Sequence, residues 1–250
     1  MESILLFKQS NFSKTIWWKL KINIQGFQNE YGYELVTEVF KDRLFRIIDS
    51  NFNKNFNNQS RLLVQFYEDG YICWVDINKL IVEKYDLDKR DIFICDQLLI
   101  QKKIPAILQW IQKQYEKPNN YLWGGTVGPN YDCSGLIQTA FFSHGISIPR
   151  DAYQMKNFCK HLFDFPCKID SLKMGDLLFF GNNKRCNHVG IYFERGLYFH
   201  SSGTDKGRDG IGLDTLINSK SIDRISIYYQ SKLISAGRIT RSYQWDKTIR

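Results

Sequence analysis

A cysteine stands in the run Tyr131-Asp132-Cys133-Ser134-Gly135-Leu136, just after a turn and at the start of an apolar stretch with helical spacing, Leu136, Ile137, Ala140 and Phe141. A thiol in the first turn of a helix faces unpaired backbone N–H groups and the positive helix end, and both favour the thiolate. That is the environment of a nucleophile, although a free cysteine taken alone is more often a buried apolar residue. Downstream, His188 opens the apolar segment His188-Val189-Gly190-Ile191-Tyr192, and His200 closes the next one, Leu197-Tyr198-Phe199-His200. The intervening Glu194-Arg195-Gly196 reads as a hairpin turn, so the two imidazoles fall on neighbouring strands. Cysteine on a helix with histidine on a facing sheet is the arrangement of a thiol protease. Such a pair needs a third polar group to fix the imidazole tautomer, and His200 is placed to supply it. Each histidine by itself is most simply a satisfied structural residue, and only the combination points to catalysis.

The elements that must position these groups follow from the rest of the pattern. The chain has 250 residues, 43% hydrophobic, 15% aromatic and 24% charged, which suits a globular protein with a real core and excludes collagen, coiled coil and disorder. Its longest apolar runs, such as Leu177-Leu178-Phe179-Phe180, fall far short of a membrane span. The first third alternates apolar and polar residues over 33–40, 44–48, 62–67 and 71–75, predicting short strands. The Asn-rich stretch 51–58 reads as a loop and Glu68-Asp69-Gly70 as a tight hairpin, which suggests a small barrel ending near Val82. A charge-rich connector follows, and then Leu98, Leu99, Ile104, Ile107, Leu108 and Ile111 recur at mostly helical spacing until Lys117-Pro118 stops the helix. The helix at 133–143 precedes strands at 177–180, 188–194 and 197–201. A helix group followed by a run of strands is an α+β pattern.

Four linked segments carry a resemblance. Tyr121-Leu122-Trp123-Gly124-Gly125, Asp132-Cys133-Ser134-Gly135-Leu136, Gly175-Asp176-Leu177-Leu178-Phe179-Phe180 and His188-Val189-Gly190-Ile191-Tyr192 resemble, in order and spacing, the signature series of the NlpC-type cell-wall cysteine peptidases. The resemblance covers roughly residues 98–238. It implies an α+β fold with a papain-like peptidase domain at 98–250, helices packed on an antiparallel sheet. Ahead of that domain come a connector at 83–97 and, at 1–82, a β-barrel resembling the bacterial SH3-like domain of the γ-D-glutamyl-L-diamino acid endopeptidases. The barrel resemblance rests on Glu68-Asp69-Gly70-Tyr71 and Trp74-Val75.

The resemblance also implies roles. Cys133 matches the family nucleophile, His188 its general base and His200 the orienting polar residue. Tyr121 matches a tyrosine that assists at the oxyanion beside the Cys133 N–H, where each preorganised donor is worth a few kcal/mol; a core aromatic is the plainer use of that residue. Asp132, Ser134 and, from the barrel, Tyr71 match positions that hold the free ammonium of an N-terminal L-alanine. Asp132 could equally cap the helix. Arg150, in the Ile-Pro-Arg stretch after the helix, either pairs with a substrate carboxylate or forms a surface salt bridge. Cys159, His161, Cys167 and Cys186 follow no usual zinc spacing, so neither a metal nor any cofactor is expected.

The expected activity is hydrolysis, through a thioester, of the γ-D-glutamyl bond to a diamino acid in peptidoglycan-derived peptides with a free N-terminal L-alanine. Two alternatives stand beside it: an acyl or amide transferase on the same thioester, and a non-catalytic wall- or nucleic-acid-binding module. The last would be marked by a missing cysteine or histidine, and neither is missing. A formal charge of +8 permits a nucleic-acid partner without demanding one. Six cysteines without a CxxC pair read as reduced thiols, and the N-terminus does not resemble a signal peptide, so a cytoplasmic role in wall recycling is expected, with no membrane partner.

Overall fold

Short alternating apolar runs become strands in the computed structural model, which describes residues 5–6, 15–49, 61–87, 95–165, 169–182, 185–217 and 223–245. The chain divides into two units, Met1–Ile92 with Gln244–Arg250, and Phe93–Tyr243. In the first, β1 (Leu5–Leu6), β2 (Trp17–Leu20), β3 (Ile24–Phe27), β4 (Leu35–Val39), β5 (Leu44–Asp49), β6 (Arg61–Phe66), β7 (Ile72–Asp76) and β8 (Ile81–Tyr85) form one sheet in the order β1-β8-β2-β5-β6-β7-β3-β4. The four runs expected from the sequence are β4 to β7. Strands β2, β3 and β8 lack a clean alternation; Trp17, Trp18 and Leu20, for example, are all buried. The Asn-rich loop at 51–58 lies outside the described residues.

The Glu68-Asp69-Gly70 hairpin joins β6 to β7, with Gly70 at φ +69°, a left-handed conformation that glycine adopts without strain. Its two acids turn inward. Arg43 Nη2 donates to Asp69 at 2.6 Å and Arg43 Nε to Glu68 at 3.3 Å, all three side chains being buried. Asp69 also accepts from the Tyr71 N–H at 3.0 Å. The C-terminal stretch from Gln244 groups with this unit, unlike the sequence boundary at 250, and Trp245 there stacks 5.1 Å from Arg46.

The second unit begins with α1 (Gln97–Tyr115), capped by Asp96, which accepts from the Leu99 N–H at 2.9 Å. Ile100, Ile104, Ile107, Leu108 and Ile111 face the core, whereas Leu98 is 69% exposed. Two more helices follow, α2 (Cys133–Phe142) and α3 (Ala152–Phe158). Strands β9 (Lys160–Asp164), β10 (Leu177–Asn182), β11 (Arg185–Tyr192), β12 (Leu197–Ser202), β13 (Gly210–Thr215) and β14 (Leu233–Arg238) make an antiparallel sheet in the order β13-β12-β11-β10-β14-β9, with α4 (Arg224–Lys232) ahead of β14. This is an α+β fold, as expected. Among the described residues, no helix is long and apolar enough to cross a membrane.

The sheet has two covered faces. Leu177, Phe179, Val189, Ile191 and Phe199 join the core under α1, α2 and α3, while Leu178, Phe180, Tyr192 and Tyr198 pack with Tyr229 of α4. Alternate residues of a strand must point to opposite faces, so one strand serves both cores. The Gly175-Asp176 segment fixes the sheet at β10 and β14: the buried Asp176 carboxylate receives Arg238 Nε at 2.6 Å, Arg238 Nη2 at 2.8 Å and the Lys173 N–H at 2.8 Å.

Candidate active site

Cys133 is the first residue of α2, whose cap is Asp132. The Asp132 carboxylate accepts from the Gly135 N–H at 2.6 Å, the Gly124 N–H at 2.9 Å and the Ser134 hydroxyl at 3.1 Å. It also takes two bonds from Arg150, at 3.2 and 2.5 Å, and Arg150 donates to the Ser134 oxygen at 2.9 Å. Gly135 is required by this packing, since a Cβ there would collide with the Gly125 carbonyl. The loop 122–125 and the start of α2 therefore interlock, and the nucleophile position is set by backbone.

This network corrects the expectation for Arg150 and bears on that for Asp132. Arg150 is neither a surface salt bridge nor a free carboxylate binder: it is 2% exposed and spent on Asp132 and Ser134. Asp132 is a cap, and its five donors fill the roughly four lone-pair sites of a carboxylate. Tyr71, the third residue expected at the ammonium, belongs to the first unit, where it packs on that unit's own core.

The hairpin puts the histidines on β11 and β12, with Arg195 and Gly196 at φ 51° and 81° in its turn. The β11–β12 ladder pairs only Ile191 with Phe199 and Tyr192 with Tyr198. Beyond it the Ser201 hydroxyl donates to the Tyr131 carbonyl at 2.7 Å, so the segment before α2 docks where the strands have parted. The backbone N–H groups of Val189 and Ser134 face the Cys133 sulfur. The thiol thus lies beside β11 at Val189, the residue that follows His188.

His188 Nε2 and His200 Nδ1 are 2.8 Å apart, and His200 Nε2 is 2.7 Å from Asp214 Oδ2. Asp214 also receives Arg208 Nη2. These contacts fix every proton. A carboxylate only accepts, so His200 donates from Nε2 and its Nδ1 lone pair accepts from His188 Nε2–H. Neutral His188 is left with its lone pair on Nδ1, the atom available to take a proton. Tyr229 of α4 stacks on the His188 ring, centroids 4.6 Å apart at 26°, and meets His200 edge-on at 4.6 Å.

Sequence reasoning missed Asp214, Arg208 and Tyr229. An acid inside the apolar strand Gly210–Thr215 was the one available signal for Asp214. Gly212 stands opposite His200, and the absence of a side chain there gives Arg208 room to lie across the strand.

Tyr121 is held by Asp209, which accepts from its N–H at 3.1 Å, and by a bridge to Tyr131. It lines, with Trp123, His188 and Tyr229, a cleft of about 410 Å³. Burial raises the Tyr121 pKa first, and the nearby Cys133 adds to it, so the phenol is a standing proton donor.

The expected low thiol pKa is not what this environment gives. Burial and the Asp132 charge push Cys133 up to about 12, outweighing the Val189 and Ser134 N–H groups and Arg150. Cys186 is pushed up to about 11, again mainly by burial. Burial and the neighbouring His200 hold His188 well below 6.5. The resting pair is therefore a neutral thiol with a neutral imidazole. His188 can act as a base only when neutral, and that form persists as pH falls until the pH passes its lowered value. We expect kcat/KM to stay flat from about pH 7 to about pH 10 and to fall only below the ordinary imidazole range. An alkaline loss centred near about pH 8.5, as for a preformed thiolate–imidazolium pair, would contradict this.

Among the described residues, no group of three or more His, Cys, Asp or Glu side chains is placed to hold a metal; Cys167 lies outside them.

Residues 118–236 match the NlpC/P60 family model. A γ-D-glutamyl-L-lysine dipeptidyl-peptidase of Bacillus subtilis is 37% identical over 105 residues, 41% of this chain and 34% of that protein. The bifunctional muramidase/DL-endopeptidase CwlT of the same organism is 33% identical over 123 residues, 48% of this chain and 32% of that protein. The chain thus matches about a third of the length of these relatives. A solved NLP/P60 family structure from Staphylococcus aureus, described as similar to lipoprotein, is 29% identical, with a TM-score of 0.42, and covers 55% of this chain and 41% of that one.

Proposed function

From a chain whose residues 118–236 carry an NlpC/P60 domain, we propose a cysteine peptidase acting on peptidoglycan-derived peptides, with Cys133 as nucleophile and His188 as base. The observation that supports this most is the unbroken line Asp214–His200–His188 on a strand whose next residue, Val189, turns its backbone N–H to the sulfur of a cysteine at a helix start. In this reading the Cys133 proton passes to His188 Nδ1 as sulfur adds to the carbonyl carbon. The oxyanion is met by the Cys133 N–H and the Tyr121 hydroxyl. His188 then gives the proton to the departing amine, the carbon–nitrogen bond breaks and a thioester remains. A water, deprotonated by His188, attacks it and releases the acid and the free thiol.

The finer proposal is cleavage between γ-D-glutamate and a diamino acid in fragments with a free N-terminal L-alanine, during wall recycling in the cytoplasm. The names of the Bacillus relatives support the bond type. The unbridged thiols of Cys95, Cys133, Cys159 and Cys186 suit a reducing compartment. Mass spectrometry of L-Ala-γ-D-Glu-diaminopimelate incubated with the pure protein tests it, with L-Ala-D-Glu and diaminopimelate expected and an intact peptide as the refuting result.

Amine recognition at Ser134 and the Asp132 cap makes a separate prediction. Because Asp132 is already saturated, an ammonium must share its oxygens with Arg150 or displace it. Acetylating the alanine removes a charge-assisted contact and should lower kcat/KM about ten- to a hundredfold. Equal cleavage of free and acetylated peptides would dismiss the ammonium site and leave the peptidase intact.

A further inference from the structure

The cleft that holds Tyr121 and His188 also carries two lysines that the chemistry above does not use. Lys206 lies in the turn after β12 and Lys232 at the last residue of α4. Their Nζ atoms converge on one ring, 5.2 and 5.9 Å from the centroid of Tyr228, which itself lines the cleft. An aromatic face attracts ammonium groups, so the ring holds both charges toward the same space. Among the described residues that line the cleft the one acid is Asp205, paired with Lys206 at 2.8 Å. One positive charge is thus left over, on a wall shared with the residue proposed as the base. Like charges gathered in this way repel, and an anion entering between them relieves that repulsion.

We propose that Lys206 and Lys232, framed by Tyr228, form a carboxylate-binding subsite of this cleft that selects anionic peptides. This rests on the peptidase reading. A γ-D-glutamyl-L-lysine peptide offers two carboxylates outside the scissile bond: the α-carboxylate of the glutamyl residue and that of the lysine. An ammonium pairs with either as a compact point charge without the two-point geometry an arginine would impose. The subsite is contributed by residues before and after β13, and nothing in their local sequence pairs them.

The full chain is assayed with L-Ala-γ-D-Glu-L-Lys, the same peptide amidated at the lysine carboxylate, and the same peptide amidated at the glutamyl α-carboxylate. One of the two amides is expected to show a KM raised about tenfold with kcat nearly unchanged, which also tells which carboxylate is read. Lys206→Gln and Lys232→Gln should each shrink that discrimination, and the double variant should treat acid and amide alike. Unchanged kcat/KM on both amidations in the natural protein, or undiminished discrimination in the double variant, overturns the subsite while leaving the peptidase standing. If none of the three peptides is cleaved, the peptidase reading fails. Calorimetric binding of the same peptides to the Cys133→Ala protein then decides the subsite: about tenfold weaker binding of one amide supports it, and equal affinity or no binding overturns it.

Discussion

Cys133→Ala and His188→Ala are each expected to lower kcat by roughly 10⁴-fold or more, and the double variant to be no slower than the worse of the two. The reason is that neither group works alone: with the thiol pushed up to about 12, almost no thiolate exists at neutral pH unless a base takes the proton. Removing the base therefore removes the nucleophile as well. The fold should persist in both. Cys133 is the first residue of α2, and the interlock of Asp132, Arg150, Gly124 and Gly135 does not pass through its sulfur. Thermal unfolding beside steady-state rates checks both halves of the expectation. A Cys133→Ala protein with natural turnover would sink the peptidase assignment.

The second large effect is expected at a residue that touches no substrate. Asp214→Asn should lower kcat about 10²- to 10⁴-fold with little change in KM, because it reverses the line of protons. Arg208 can only donate, so the introduced amide turns its oxygen to Arg208 and its NH₂ to His200 Nε2. His200 must then accept at Nε2 and carry its proton on Nδ1. It donates to His188 Nε2, and the His188 proton moves to Nδ1, the atom that had to be empty. Asp214→Glu, which keeps the acceptor, should recover part of the rate, and a merely structural role would not predict that ordering. An Asp214→Asn enzyme within about threefold of the natural kcat would show that the tautomer is set elsewhere.

Cys133, His188 and His200 were legible in the sequence because local rules place them. An Asp before an apolar helical run caps the helix and puts the next residue in its first turn, and a Glu-Arg-Gly turn brings two short strands side by side. The same locality made α1, α2 and strands β10 to β12 readable, and it hid β2, β3 and β8, whose residues are buried without a regular alternation. Asp214, Arg208 and Tyr229 come from β13, the turn before it and α4, and they meet the histidines only because the sheet order sets β13 beside β12 and α4 packs on that face. Arg150 was legible as a charge near the site, but its partners depend on the return of the chain after α2. The thiol pKa is the clearest division. The sequence places Cys133 at a helix end that favours the thiolate, whereas its burial and the Asp132 charge are tertiary, and in this protein the cost of desolvating a charge outweighs the helix end.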